Sequence, residues 1–359
     1  MFPAIRKFFF YLLLTLNVVD IILMLVSGYS GYLSPATFPL LALSGLAFPF
    51  FAAFNGVMLF VWLLVRRRMV LLPIAGMVMA FAPLRTYVPV NFNAQPPEGA
   101  IKVLSYNVYL YAGWTYRKKP HNPILDYVAN SDADIVCLQE ASPHEHMERR
   151  VNSILKPLYP YSDTIMYRKN GDCLAIYSRY PIIDSERIPY PSVGNQSMAT
   201  RLLIDGDTVL VVNNHLETVG FSVADKKDFN QIVEGKGKKG NERGLLEKLK
   251  QSVAKRGKQA DAVAKYIAEK GTRHVIVCGD FNDSPLSYAH HTIGRGLRDC
   301  FAASGTGFGF TYDRFGIHVR IDNILCSKTY EPYNCQVDRS ISDSDHYPVV
   351  CWLKKGANP

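Results

Sequence analysis

A chain of 359 residues with 48% hydrophobic and 20% charged side chains has room for two ordinary domains, or one large domain with an appendage, and its composition excludes a disordered chain. The formal charge of +9 is unevenly spread: residues 1–90 contain only Arg6, Lys7, Asp20, Arg66, Arg67, Arg68 and Arg85 as charges, which leaves 34 basic against 30 acidic residues beyond them. That balance excludes a dedicated polyanion binder.

The chain opens as membrane. Residues 8–27 and 37–65 each reach the roughly 20 apolar residues needed to cross about 30 Å of hydrocarbon, and 69–88 makes a third, shorter span weakened by Pro73 and Pro83. The alternative is two spans with an interfacial third segment. A cleaved signal peptide fits poorly, because the first apolar run is long, Asp20 interrupts it and no small-residue cleavage site follows. Arg6 and Lys7 precede the first span and Arg66–Arg68 follow the second; the positive-inside rule puts both clusters in the cytoplasm. Three crossings then place everything after residue 90 outside the cytoplasm, and two would leave it inside. Asp20 has no ionisable partner in the spans and is expected to make a helix–helix hydrogen bond. The anchor is assigned residues 1–90, with a Pro-, Gly- and Asn-bearing linker at 91–99 and a folded domain over 100–359.

From Ile101 a unit recurs: a short β-branched or apolar run that ends in polar residues, as in IKVLSYN, ADIVCLQE, CLAIYSRYP, TVLVVNNHL, HVIVCGDFN, RIDNILC and YPVVCWL. Such runs are buried strands. Between 245 and 269, Leu246, Leu249, Val253, Ala260, Val263, Ala264 and Ile267 form one helical stripe. Long crossovers mixed with close strand pairs predict a layered α/β domain of two sheets with helices outside. Just before the helix, 234–244 is a Gly- and Lys-rich loop, read as solvated or as a phosphate contact. The seven cysteines, with no CxxC spacing, read as reduced core residues.

Polar residues collect at the strand ends: Asn107; Gln139 and Glu140; Asn213, Asn214 and His215; Asp280 and Asn282; Asp322; Asp345 and His346. In α/β sheets such positions face one crevice. Carboxylates and carboxamides brought together there make a hard-oxygen site for Mg²⁺ or Mn²⁺, with imidazoles free for phosphate contact or proton transfer. GxSxG, HExxH and GxxxxGK[ST] motifs are missing, which removes support for serine hydrolase, zincin and P-loop readings. In GDFNDSP, Asp283 is assigned to the turn. Tyr109, Tyr111 and Trp114 are either cleft-lining or core residues.

In order, SYNV (105–108), IVCLQE (135–140), LAIYSRYPI (174–182), VNNHLE (212–217), GDFNDSP (279–285), RIDNILCS (320–327) and SDHYPVV (344–350) resemble the motifs of the endonuclease/exonuclease/phosphatase superfamily, and HLETVGFS, GDFNDSPLSY and SDHYPV look like its membrane-anchored Bacteroidetes-type branch. The resemblance implies a four-layered α/β sandwich and a Mg²⁺- or Mn²⁺-dependent phosphoesterase. It implies Glu140, Asn107 and Asp345 as metal ligands, with Asp280 and Asn282 handling the attacking water. His346, held by Asp322, and His215 would contact the phosphate. The family's deoxyribonuclease branch gives the latter histidine a carboxylate partner, which cannot be identified in this sequence. The partners expected are a lipid bilayer and a phosphodiester, in nucleic acid or in a phospholipid or sphingolipid headgroup; no protein partner is inferable. The alternatives are a phosphomonoesterase acting on a soluble metabolite and a catalytically silent anchored module.

Overall fold

The apolar runs pair into two six-stranded sheets. In the computed structural model, which describes all residues except 1, 93, 114, 117, 118, 120, 143, 144, 168–171, 193, 223, 226, 229, 230, 232–235, 237–240, 315, 316 and 357–359, the strands number fourteen. They are β1 (Ile101–Asn107), β2 (Ile135–Gln139), β3 (Tyr161–Met166), β4 (Cys173–Ser178), β5 (Ile182–Arg187), β6 (Gln196–Ile204), β7 (Asp207–His215), β8 (His274–Asp280), β9 (Leu297–Asp299), β10 (Tyr312–Arg314), β11 (Ile317–Val319), β12 (Asp322–Ser327), β13 (Tyr330–Val337) and β14 (Val349–Lys355).

The first sheet runs β13-β14-β1-β2-β4-β3 and the second β5-β6-β7-β8-β12-β9, with β10 and β11 forming a separate hairpin. Each large sheet has one parallel pair at its centre, β1 with β2 and β7 with β8, among antiparallel neighbours. Because parallel strands finish at the same edge, the carboxyl ends of all four central strands come together.

Alternation along the strands fills three apolar layers. Val103, Ile135, Val211, Ile276 and Ile324 face inward between the sheets, joined by six of the seven cysteines. Leu104, Val136 and Leu138 face outward onto Ile124, Val128 and Val151 of the helices Pro123–Asn130 and Glu145–Leu155. Leu210, Val212 and Val277 pack on Ala260 and Val263 of the helix Asn241–Lys270. The result is the expected four-layered sandwich. All seven cysteines are buried free thiols, as expected for small apolar core residues.

The N-terminal region is helical. Among the described residues two helices are long and apolar enough to cross a membrane, Pro3–Gly28 and Pro39–Val65; a bent pair, Arg67–Met79 with Phe81–Tyr87 at 63°, makes a third if it acts as one span. Inside this bundle Trp62 Nε1 donates to Asn17 Oδ1 (2.9 Å), Asn17 Nδ2 to Asn55 Oδ1 (3.1 Å) and Asn55 Nδ2 to the Pro73 carbonyl (3.0 Å). The hydrogen bond expected of Asp20 is not made: the side chain is 5% exposed and neither carboxylate oxygen has a partner among the described residues. Asn17, one turn earlier, takes that bridging role, since an amide both donates and accepts.

The helical region is packed against the sheets. Ser30 Oγ donates to the Leu286 carbonyl (3.3 Å), and a Cβ on Gly31 would lie 2.9 Å from the Leu286 and Ser287 carbonyl oxygens, so only glycine fits there. Arg320 Nη2 donates to the Thr86 carbonyl (2.7 Å), while its Nη1 bonds both Asp299 oxygens at 3.1 Å. The segment read as a linker is held too: Asn91 Nδ2 donates to the Ala302 and Gly305 carbonyls, and Lys354 Nζ to that of Glu98.

Candidate active site

Glycine and left-handed backbone turn the strand ends into a site. At Gly279, φ is +122°, and a Cβ would stand 2.0 Å from the Asn214 carbonyl oxygen; without a side chain, β8 lies flush on β7 and delivers Asp280 beside His215. Glu140 (φ +50°) and Asn282 (φ +52°) each adopt the left-handed conformation one and two residues past their strands. Tyr109, Leu110, Tyr111 and Ala112 form a left-handed turn, with φ from 44° to 68°. Such strain persists only where surrounding contacts enforce it. Here the Tyr109 amide donates to Asn107 Oδ1 (3.1 Å) and the Leu110 amide to the Glu140 carbonyl (3.1 Å). The turn buries Tyr111 in the core and leaves Tyr109 at 44% exposure; Trp114 lies outside the described residues, as do most of 234–244.

Seven of the eight candidate site residues meet through direct contacts. Asn107 Nδ2 donates to Glu140 Oε1 (3.3 Å) and to Asp280 Oδ2 (3.2 Å), joining the first sheet to the second. His215 Nε2 stands 3.8 Å from Glu140 Oε1 and 3.7 Å from Asp280 Oδ2. His346 Nε2 lies 3.7 Å from the same Asp280 oxygen, and its Nδ1 is 2.8 Å from Asp322 Oδ2. Asp322 and Asp280 are directly opposed in the antiparallel pairing of β12 with β8, so Asp322 reaches the site from the amino end of its strand. The Asn282 amide group donates to the Leu216 carbonyl (3.0 Å) and to Asp280 Oδ2 (3.3 Å), while its backbone N–H donates to Asp280 Oδ1 (2.7 Å). Asp345 is half-buried next to His346 and acts on that imidazole through its charge.

Charge dominates this arrangement. Burial alone would push the His215 imidazole down, but Asp172, then Asp280 and Glu140, carry it up to about 10. Burial opposes His346 in the same way, and Asp322 with Asp280 carries it up to about 10. Burial, with Asp322 across the ladder, pushes the Asp280 carboxyl up to about 6 despite both imidazoles. Glu140, Asp172, Asp280, Asp322 and Asp345 outnumber the two imidazoles, and buried oxygens of Asp172 and Asp322 have no hydrogen-bond partner among the described residues. An anionic surplus of hard oxygen donors fits a divalent cation. Asp280, Asp322 and His346 offer ligand atoms within 4.8 Å of one another, with His346 Nδ1 2.8 Å from Asp322 Oδ2, and Glu140, its side chain 30% exposed, is the more open carboxylate beside them.

The histidine partner that the motifs do not reveal is Asp172, whose Oδ1 is 3.0 Å from His215 Nδ1. It immediately precedes β4, in the other sheet, and in sequence looks like a turn residue. Arg256 is a second residue the motifs do not reveal. It is 2% exposed on the long helix, and its Nε donates to Asp283 Oδ2 (3.0 Å) and its Nη1 to the Glu217 carbonyl (3.0 Å). It thereby clamps the loops that follow His215 and Asp280. Asp283 does serve the turn, accepting from the Ser284 amide at 2.9 Å, and also holds this arginine. Gln139, Asn213 and Asn214 lie beneath the site as a structural layer: Gln139 Nε2 donates to Asn213 Oδ1 (2.7 Å), and the Asn213 and Asn214 amides donate to strand carbonyls.

Residues 104–346 match the model of the endonuclease/exonuclease/phosphatase family. The chain belongs to that family. Its members hydrolyse phosphoester bonds, and this chain is a phosphoester hydrolase by that membership. Residues 6–87 match a second family model, described only as a domain of unknown function. No curated protein sequence matches the chain. Among solved structures, humanized D. rerio TDP2 is similar at 18% identity and a TM-score of 0.51, covering 71% of this chain and 99% of that one. The human nocturnin catalytic domain with bound sulfate gives 18% and 0.51, with 73% and 97% covered. Sphingomyelinase C from Streptomyces griseocarneus gives 15% and 0.50, with 70% and 99% covered. At these identities the likeness shows the fold of this family, which covers the two sheets and their helices.

Proposed function

We propose that this member of the endonuclease/exonuclease/phosphatase family is a membrane-anchored, Mg²⁺-dependent phosphodiesterase. The observation that carries the reading is the meeting of Asn107, Glu140, His215, Asp280 and His346 within hydrogen-bond or ion-pair distance at the joined ends of two sheets. Glu140, Asn107 and Asp345 would hold the cation, and Mn²⁺ suits the same oxygen donors. When bound, it neutralises phosphate charge and polarises the phosphoryl group.

The chain's own residues supply the proton chemistry. Asp280, kept in place by Asn282, accepts a proton from the attacking water as its oxygen bonds to phosphorus. His346, oriented by Asp322, donates its Nε2 hydrogen to a phosphoryl oxygen that gains charge. His215, oriented by Asp172, is cationic at neutral pH and gives its Nε2 proton to the leaving oxygen as the old P–O bond breaks.

Phospholipid or sphingolipid headgroup diesters borne by the membrane are the favoured substrates, because the N-terminal helices hold the site next to a bilayer and 34 basic against 30 acidic residues make a weak polyanion binder. Two contacts support the three-span arrangement. Arg66 lies over Phe10 at 5.2 Å, so the arginine cluster shares an end with the N-terminus, whereas Gly28 lies against Phe48 and Pro83 at the opposite end, beside the sheets. By the positive-inside rule the catalytic part is extracytoplasmic. A reporter fused after Pro359 that is active only in the cytoplasm should stay dark.

The test of the chemistry uses the full chain in detergent with bis-p-nitrophenyl phosphate, with Mg²⁺ and with chelator. Turnover should need the cation and should collapse in Glu140→Gln. A variant as fast as the parent would refute the assignment. Preferential cleavage of plasmid DNA over lipid vesicles would move the substrate to nucleic acid.

A further inference from the structure

One loop joins the membrane helices to the catalytic centre. After the short helix Cys300–Ser304, the Gly307 amide donates to the Pro89 carbonyl (2.9 Å), and Thr306 Oγ1 donates to the Asn91 carbonyl (2.6 Å) and accepts from the Asn91 amide (3.1 Å). Gly309, with φ +60°, sits so close to Phe301 that a Cβ would meet its ring at 2.3 Å, which lets the loop fold tightly over that ring. Phe308 and Phe310 stack on each other at 5.1 Å, and Phe308 meets Tyr87, the last residue of the bent helix pair, at 6.3 Å. Two residues beyond Phe310, the Tyr312 ring packs on His346 at 5.3 Å and its backbone bridges to the same residue.

The outer side of this loop is apolar where water would disfavour it. Phe308 is 49% exposed, Val90 72% and Phe92 97%. Aromatic side chains at the end of a span belong in the headgroup layer, where an apolar ring and a polar backbone are both accommodated. Cations stand beside them: Arg85 donates to the Val90 carbonyl (2.9 Å), and Arg339, half exposed and 3.5 Å from Asp313 Oδ2, donates to the Phe310 carbonyl (3.2 Å). Lipid phosphates offer the matching charge.

We infer that Val90, Phe92, Phe308 and Phe310, flanked by Arg85 and Arg339, form a bilayer-docking edge that seats the mouth of the active site in the lipid headgroup layer. The occupant is the membrane itself, since the patch begins three residues after Tyr87, where the bent helix pair ends, and Phe308 packs back onto that buried ring. The surface stands on exposure and contact alone; its consequence for substrate capture rests on the phosphodiesterase reading.

Because all seven native cysteines are buried, a new surface cysteine can be labelled selectively. Phe92→Cys, Phe308→Cys and a control, Ile183→Cys at the far edge of the second sheet, would be made in the full chain and tagged with a fluorophore. Each would be reconstituted into phosphatidylglycerol–phosphatidylcholine vesicles with brominated acyl chains. Quenching at 92 and 308 severalfold stronger than at 183 is expected, and equal quenching at the three positions overturns the docking edge. As a second measurement, Phe92→Ser/Phe308→Ser should lower turnover of a vesicle-borne phosphodiester lipid about tenfold relative to bis-p-nitrophenyl phosphate. An unchanged ratio, including an equal fall with both substrates, counts against the proposal. If the parent turns over neither substrate, the phosphodiesterase reading fails, and the quenching still decides the surface.

Discussion

The helical N-terminal region and the catalytic centre both bury polar side chains, and they treat them in opposite ways. Asn17, Asn55 and Trp62 form a neutral chain in which each donor finds an oxygen, the arrangement that costs least away from water. At the catalytic centre five carboxylates crowd two imidazoles, and the surplus charge is what a cation and a phosphate can use. The lesson is that burial by itself does not mark a functional group. Excess charge that the protein cannot neutralise does. Asp20 is the instructive exception, a buried carboxylate without a hydrogen-bond partner among the described residues.

The sharpest way to break the contrast is Asp280→Asn, which keeps the shape and removes the proton acceptor. Turnover of bis-p-nitrophenyl phosphate should fall about 10²- to 10⁴-fold, with thermal stability unchanged or raised, because a carboxylate pushed up to about 6 is being relieved. Next is the buried pair under the junction. Burial would raise the Asp299 carboxyl, but Arg320 and His290 hold it well below the usual carboxylate range. Its folded value is depressed, so the stability it contributes is present above the unfolded value of about 3.9 and is lost as pH falls below it. Asp299→Asn should cost about 3–5 kcal/mol at neutral pH by leaving Arg320 unpaired, and the gap from the parent in thermal unfolding should narrow towards about pH 3.

A smaller effect is expected for Asp172→Asn, which weakens a charged hydrogen bond of His215 without touching Asp280; kcat should drop roughly 10- to 100-fold. For Asp20→Leu the sign reverses. Removing an unpartnered buried carboxylate should raise stability by about 1–3 kcal/mol, read as a higher unfolding midpoint in detergent. Smallest is Asn55→Leu, which opens the amide chain between spans and should destabilise by about 0.6–1.7 kcal/mol. If Asp20→Leu abolished turnover instead, the division between the two regions would be wrong.

What could be read without coordinates was local. Apolar runs of four to eight residues announced β1, β2, β4, β7, β8, β12 and β14, because strands buried on both faces must be continuously apolar. The polar residues that flank those runs included all eight candidate site positions, Asn107, Glu140, His215, Asp280 and Asn282 at or just past a strand's end and Asp322, Asp345 and His346 at or before a strand's start. The edge strands β3, β5 and β13 escaped notice because one face meets water and their patterns are weak. Asp172 and Arg256 were invisible for a different reason. Each acts on a residue some 40 or 30 positions away, and its meaning exists only once two sheets, or a helix and two loops, are brought together. The same holds for the junction: nothing in the residues around Thr86 or Ser30 hints that they will meet Arg320 and Leu286, because those contacts are made by backbone carbonyls, which every residue carries alike.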